Sequence, residues 1–124
     1  GVEVVEDAVA DARVNATRNG VEHCQFIAGA AEEILGDLAD RRFDLVVVDP
    51  PRVGLHKKAL ARLVALQVPR MIYVSCNPHS LASDLSVLGE CGYQVRRVRP
   101  VDMFPQTPHC EVVAELCRGE SLTD

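Results

Sequence analysis

Residues 43–52 read FDLVVVDPPR and residues 70–78 read RMIYVSCNP. Each begins with a β-branched apolar run that offers no polar face to water, which predicts a strand buried within a sheet covered by helices. Each run stops at polar residues beside proline: Asp49 before Pro50-Pro51, and Ser75-Cys76-Asn77 before Pro78. Residues 55–66, between them, have helical spacing. Strand, helix and strand in succession are the pattern of an α/β protein with a mostly parallel sheet.

Upstream, residues 1–4 predict the end of a strand. Residues 5–19 predict a helix closed by Asn19-Gly20, where glycine can take the left-handed cap conformation. A short strand over 24–28 and a short helix over 31–38 follow. Downstream, residues 79–91 predict a helix ended by Gly92. The rhythm then changes, because 93–101 and 110–117 are both strand-like and only the proline-rich DMFPQTPH separates them. Two strands with no helix between them predict an antiparallel pair finishing the sheet.

The 124 residues suit one domain, and 48% hydrophobic with 25% charged residues is the composition of an ordinary globular protein. No apolar stretch approaches the roughly 20 residues that span a bilayer, and no basic-then-apolar signal opens the chain. A cytoplasmic location is expected. Five cysteines, an odd number with no CxxC pair, argue against a disulfide framework or a zinc site and for reduced thiols. His23, His56, His79 and His109 lack metal-ligand spacing, so no metal is expected. The net charge of −5 means that any strong grip on nucleic acid needs help from elsewhere. Arg96, Arg97 and Arg99 cluster near the last hairpin, with Lys57 and Lys58 after the DPPR turn. A solvated face explains these as well as phosphate contact does. The chain opens at Gly1 directly on a strand end, which suggests a piece of a longer protein.

In open α/β sheets ligands bind outside the carboxyl ends of the parallel strands, so polar residues there are the first candidates. Glu3 ends its strand before a helix, where a carboxylate can accept from both hydroxyls of a ribose or simply start the helix. Asp49 is held at its strand tip by two prolines that fix φ and remove two backbone donors. Cys76 lies at a strand end close to a helix start, where exposed amides favour a thiolate. Cys24, Cys91, Cys110 and Cys117 read as small buried hydrophobes. Phe104 offers a ring for stacking on a base, whereas Tyr73 reads as an apolar strand residue.

DPPRVGL, YVSCNPHSLASDL and DMFPQTPHCE, in that order, resemble the signature segments of the RNA uracil-C5 methyltransferases, which make 5-methyluridine in tRNA and ribosomal RNA. The resemblance runs through the whole chain. It implies a Rossmann-like fold that binds S-adenosylmethionine (SAM), with RNA as substrate and partner. It also implies Cys76 as nucleophile, Glu111 as general base, Asp49 as a contact of the uracil or of the cofactor's reactive end, and Glu3 as ribose ligand. Arg52, Asn77 and Phe104 become candidate substrate contacts. The chemistry needs a thiol and a carboxylate independently of the name. Carbon 5 of uracil is a poor nucleophile until a thiolate adds to carbon 6, and its proton must later leave.

The fold resembled opens with a strand and a Gly-rich loop that precede Glu3 and have no counterpart in these residues. That strand lies mid-sheet, so a gap is expected between the strands ending at Glu3 and Asp49. Residues 1–124 are accordingly expected to be a partial catalytic domain, inactive alone. An upstream RNA-binding domain and, in some members, an iron–sulfur cluster are likewise outside this sequence. Ala30 stands where many relatives have a polar residue. Two readings compete: an amino-group nucleic-acid methyltransferase, whose Asp-Pro-Pro motif would carry an aromatic residue where Arg52 stands, and a non-catalytic SAM-fold interaction module. Cytosine-C5 enzymes often place a cysteine where Pro51 stands, so uracil is preferred.

Overall fold

A computed structural model describes residues 1–119. In chain order the elements are β1 (Val2–Glu3), α1 (Glu6–Arg18), β2 (Ile27–Ala28), α2 (Ala31–Asp37), β3 (Val46–Val48), α3 (Lys57–Ala65), β4 (Arg70–Ser75), α4 (Pro78–Glu90), β5 (Tyr93–Val101) and β6 (Glu111–Arg118). The described strands form two sheets, a parallel pair β1-β2 and a four-stranded sheet in the order β3-β4-β6-β5. β3 runs parallel to β4, while β6 enters between β4 and β5 and is antiparallel to both.

Alternation along the strands decides which side of the larger sheet is the core. Met71, Tyr73 and Ser75 of β4 and Val112, Ala114 and Leu116 of β6 are buried on one side, against Leu60 and Leu63 of α3 and Leu81 and Leu88 of α4. Positions between them point the other way. There Val47 is 61% exposed and Ile72, Val74 and Val113 are half-buried.

This corrects the expectation that 43–49 is a strand buried on both faces. Its hydrogen-bonded part is only Val46–Val48, paired with β4 alone, and Leu45 and Val47 are exposed among the described residues. The strand expected over 24–28 likewise shrinks to Ile27–Ala28, whose one partner is two residues long. α3 starts at Lys57 rather than residue 55, since the His56 side chain caps it by accepting from Lys58 N at 3.3 Å. Gly20 (φ +66°) follows α1 in the left-handed region, as its sequence predicts.

No ladder joins β1 to β3. A cleft of about 900 Å³ lies between them, lined by Val2, Glu3, Ala30, Val46, Val48 and Asp49 among others.

Candidate functional site

The site is built on the turn from β4 into α4. Ser75, 3% exposed, both donates to Asn77 O (2.9 Å) and accepts from Asn77 N (3.0 Å) through its hydroxyl. Asn77 then caps α4, its Oδ1 accepting from His79 N at 3.1 Å, and Pro78 takes the first helical position where no amide partner is needed. Cys76 sits half-buried in the middle of this fixed turn, next to the helix N-terminus.

The loop 49–55 is tied to the same helix and its cap by three hydrogen bonds. The Arg52 carbonyl accepts from Asn77 Nδ2 and from Ser80 Oγ, both at 3.0 Å. One oxygen of Asp84 accepts from Leu55 N at 2.8 Å and also from the Tyr73 hydroxyl. Gly54 (φ +87°) makes this approach feasible, since a Cβ there would lie 2.8 Å from that same Asp84 oxygen. Burial first, and then the hydrogen bond to Asp84, push the Tyr73 hydroxyl well above the usual phenol range, so it stays a neutral donor. Tyr73 is fully buried and its ring is not open to a base.

Glu111 arrives from the other side. Ser75 pairs with Val112 across the β4-β6 ladder, so the next antiparallel positions are Cys76 and Glu111. Neighbours at that spacing have Cβ atoms about 4.5–5.5 Å apart. Glu111 is half-buried and pairs on its other side with Val101. Val48 pairs with Tyr73, which places Asp49 at the same end of the sheet as Cys76. The loop 102–110 closes over this end. Arg52 Nη2 lies 3.2 Å from His109 Nδ1, and because a guanidinium only donates, the ring nitrogen accepts. The Phe104 ring, 51% exposed, meets His109 edge-on at 6.5 Å.

Cys76, Glu111, Asp49, Arg52 and Phe104 thus gather at one end of the larger sheet. Asn77 is there too, its Nδ2 donating to the Arg52 carbonyl and its Oδ1 accepting from His79 N, which leaves one donor and one acceptor site of its amide for the substrate contact expected of it. Glu3 lies apart, on the β1 side of the cleft, with Oε1 accepting from Val5 N at 2.9 Å. Among the described residues no three His, Cys, Asp or Glu side chains form a metal-binding group, and no helix is long and apolar enough to cross a membrane. Ser80 and Asp84 escaped the sequence reading. Their signal was the spacing of Asn77, Ser80 and Asp84, three and then four residues apart, which marks one polar stripe on a helix whose other face is Leu81 and Leu88.

Comparison with known proteins identifies the family by sequence and the fold by structure. The sequence profile of the tRNA (Uracil-5-)-methyltransferases matches residues 1–118. An uncharacterized RNA methyltransferase of Enterococcus faecalis is 48% identical over 121 residues, 96% of this chain and 26% of that protein. One from Clostridium tetani is 43% identical over 122 residues, 98% of this chain and 26% of that protein. The chain therefore spans about a quarter of the length of these curated relatives. Among solved structures, the Pyrococcus abyssi tRNA (uracil-54, C5)-methyltransferase in complex with S-adenosyl-L-homocysteine superposes with a TM-score of 0.81 at 38% identity, over 94% of this chain and 27% of that one. The N-methyltransferase NodS of Bradyrhizobium japonicum, at 16% identity over 96% of this chain and 65% of its own, shares the fold with a TM-score of 0.75. With a profile match over nearly its whole length, this chain belongs to the tRNA (uracil-5-)-methyltransferase family.

Proposed function

We propose that these residues form the part of an RNA methyltransferase that methylates carbon 5 of a uridine in tRNA or ribosomal RNA, with SAM as methyl donor. The observation that carries this reading is the β4-β6 register, whose last pair is Ser75-Val112 and which, carried one position further, would set Cys76 across from Glu111 beside the clamped loop 49–55.

Cys76 is the nucleophile. Its thiolate adds to carbon 6 of the uracil, a C–S bond forms, and the ring electrons shift toward carbon 5 and the carbonyl oxygen at carbon 4. Cys76 stands beside the N-terminus of α4, at the end of the sheet where this step would take place. SAM, when bound, supplies the electrophilic methyl group. Glu111 then accepts the carbon 5 proton, the 5,6 double bond re-forms, and the C–S bond breaks to return the thiolate.

Glu3 at the end of β1 and Asp49 after β3 lie at the carboxyl ends of their strands and line the cleft where the cofactor would bind. Glu3 spends only Oε1 within the described chain, and its carboxylate would accept from the cofactor's ribose hydroxyls. Asp49 lines the same cleft at the Cys76 end and would face the cofactor's reactive end or the uracil. The S-adenosyl-L-homocysteine bound by the Pyrococcus abyssi protein supports this choice of cofactor. Arg52 and Phe104, exposed above the site, would contact the target nucleotide, Phe104 by stacking. The neighbourhood of RNA and reduced thiols in the cytoplasm is where this chemistry would operate. Residues 1–124 are a partial catalytic domain in this reading, inactive without the rest of the protein.

The complete protein, incubated with RNA containing 5-fluorouracil, should form an adduct that survives denaturing electrophoresis, because fluorine cannot leave carbon 5 as a proton does. Cys76→Ala should abolish the adduct. Methyl transfer that proceeds at the normal rate in Cys76→Ala would overturn the reading in favour of an amino-group target.

A further inference from the structure

β5 carries three arginines and no acidic residue in the segment YQVRRVRPV, in a chain whose net charge is −5. It is the edge strand of the larger sheet, and Arg96, Arg97 and Arg99 are all exposed. None of the three has a side-chain hydrogen bond or ion pair among the described residues, in contrast to Arg70, which meets Glu115, and Arg118, which donates to Val64 O.

The ladder shows which side of the sheet they occupy. Val95 pairs with Leu116, but Arg97 pairs with Glu115, so a β-bulge sets Arg96 and Arg97 together opposite Glu115. Past the bulge, Arg99 pairs with Val113 and Val101 with Glu111. Without the extra residue, simple alternation would turn Arg97 and Arg99 toward the helix-covered core side, where Ala114 and Leu116 are buried. The bulge turns Arg97 and Arg99 instead to the side on which Glu111 lies. Successive same-side positions are about 6.8 Å apart, so Arg99 and Arg97 recede from the Val101-Glu111 pair in two steps of that size. Two acids of β6 share this side, Glu111 at the far end and Glu115 opposite the bulge, and Glu115 Oε1 is already held by Arg70 at 3.2 Å.

We infer that Arg96, Arg97 and Arg99 form a track on β5 for the phosphodiester backbone of the substrate RNA, leading to the Cys76-Glu111 end of the sheet. This rests on the proposed RNA substrate and specifies which surface of this chain grips it. A charged edge strand also keeps sheets from pairing edge to edge, and the two roles make different measurable demands.

The test measures binding of a labelled, unmodified tRNA transcript to the complete protein across a series of KCl concentrations. Each phosphate contact contributes about 0.7–0.9 to the slope of log affinity against log salt. Replacing all three arginines by Gln should make that slope shallower by about 2 and weaken low-salt binding by roughly tenfold or more. Arg97→Gln and Arg99→Gln singly should each remove a little under one, which keeps the question answerable if the triple variant folds poorly. At saturating 5-fluorouracil RNA the triple variant should still form the Cys76 adduct. An unchanged slope in the single and triple variants overturns the track, and self-association of the variants with an unchanged slope assigns the arginines to edge protection instead. A wild-type protein that binds RNA with this arginine-dependent slope but forms no adduct would sink the proposed reaction and leave the track standing.

Discussion

Cys76 and Glu111 differ in how firmly the fold holds them. The thiol sits in a turn closed by Ser75, Asn77 and Ser80, whose side chains bond the backbone of Asn77 and His79 within six residues of sequence. Glu111 is the first residue of β6, and its carboxylate has no hydrogen-bond partner among the described residues. Such a group can follow a proton that moves. Replacement by Gln keeps shape and removes the proposed base, so in Glu111→Gln Cys76 should still add to the uracil and carbon 5 should still take up the methyl group. Release should slow by about 100 to 10,000-fold, the usual worth of a positioned base. Covalent protein–RNA complex should therefore accumulate on ordinary RNA, visible on a denaturing gel. Wild-type turnover with no trapped complex would instead move the base to Asp49 or to water.

At the scale of elements, α4 does more than cover the sheet. Its polar stripe of Asn77, Ser80 and Asp84 fastens the loop after β3, and Asp84 also receives the hydroxyl of Tyr73 from beneath. Because Tyr73 is held neutral in the folded protein, its proton is bound more tightly there than in the unfolded chain. Its contribution to stability is complete below the ordinary phenol pKa of about 10 and is lost as pH rises beyond that value. Thermal unfolding measured from pH 8 to 11 should show this alkaline loss in the wild type. Tyr73→Phe should cost about 1 kcal/mol at neutral pH and show a smaller alkaline loss. An identical alkaline slope in both proteins would mean that Asp84 does not hold this hydroxyl in solution. Sequence alone showed Cys76, Asp49 and Glu111 as strand-end residues, because each interrupts or begins an apolar run beside proline. It could not show the Asp84 contact, which depends on how closely Gly54 lets the loop approach the helix. Nor could it show that Asn77 is occupied by capping and by Arg52, since the same side chain read equally as a free amide. Strand ends were misjudged at residues 43–45 and 24–26, where the apolar pattern runs beyond the two or three residues that pair in β2 and β3.

At the scale of the molecule, β1, β2 and α1 pack on one another, and the larger sheet holds its own core with α3 and α4. α2 is the bridge, touching β1 on one side and α3 on the other. Backbone amides should accordingly exchange with deuterium in two classes. Those of β4 and β6, paired on both sides or buried centrally, should be slowest, and those of β1 and β2, with two residues in each ladder, much faster. Uniform exchange across both sheets would show that they open as one.

The cleft between β1 and β3 gives this division a thermodynamic meaning. Glu3 stands on one bank and Asp49 on the other, and no ladder ties the banks together. A ligand that touches both would bind only the arrangement in which the two halves are in place, so its binding free energy would be drawn directly into their cohesion. At a hundred times its dissociation constant that linkage is worth about 2.7 kcal/mol, a large share of what commonly holds a domain together.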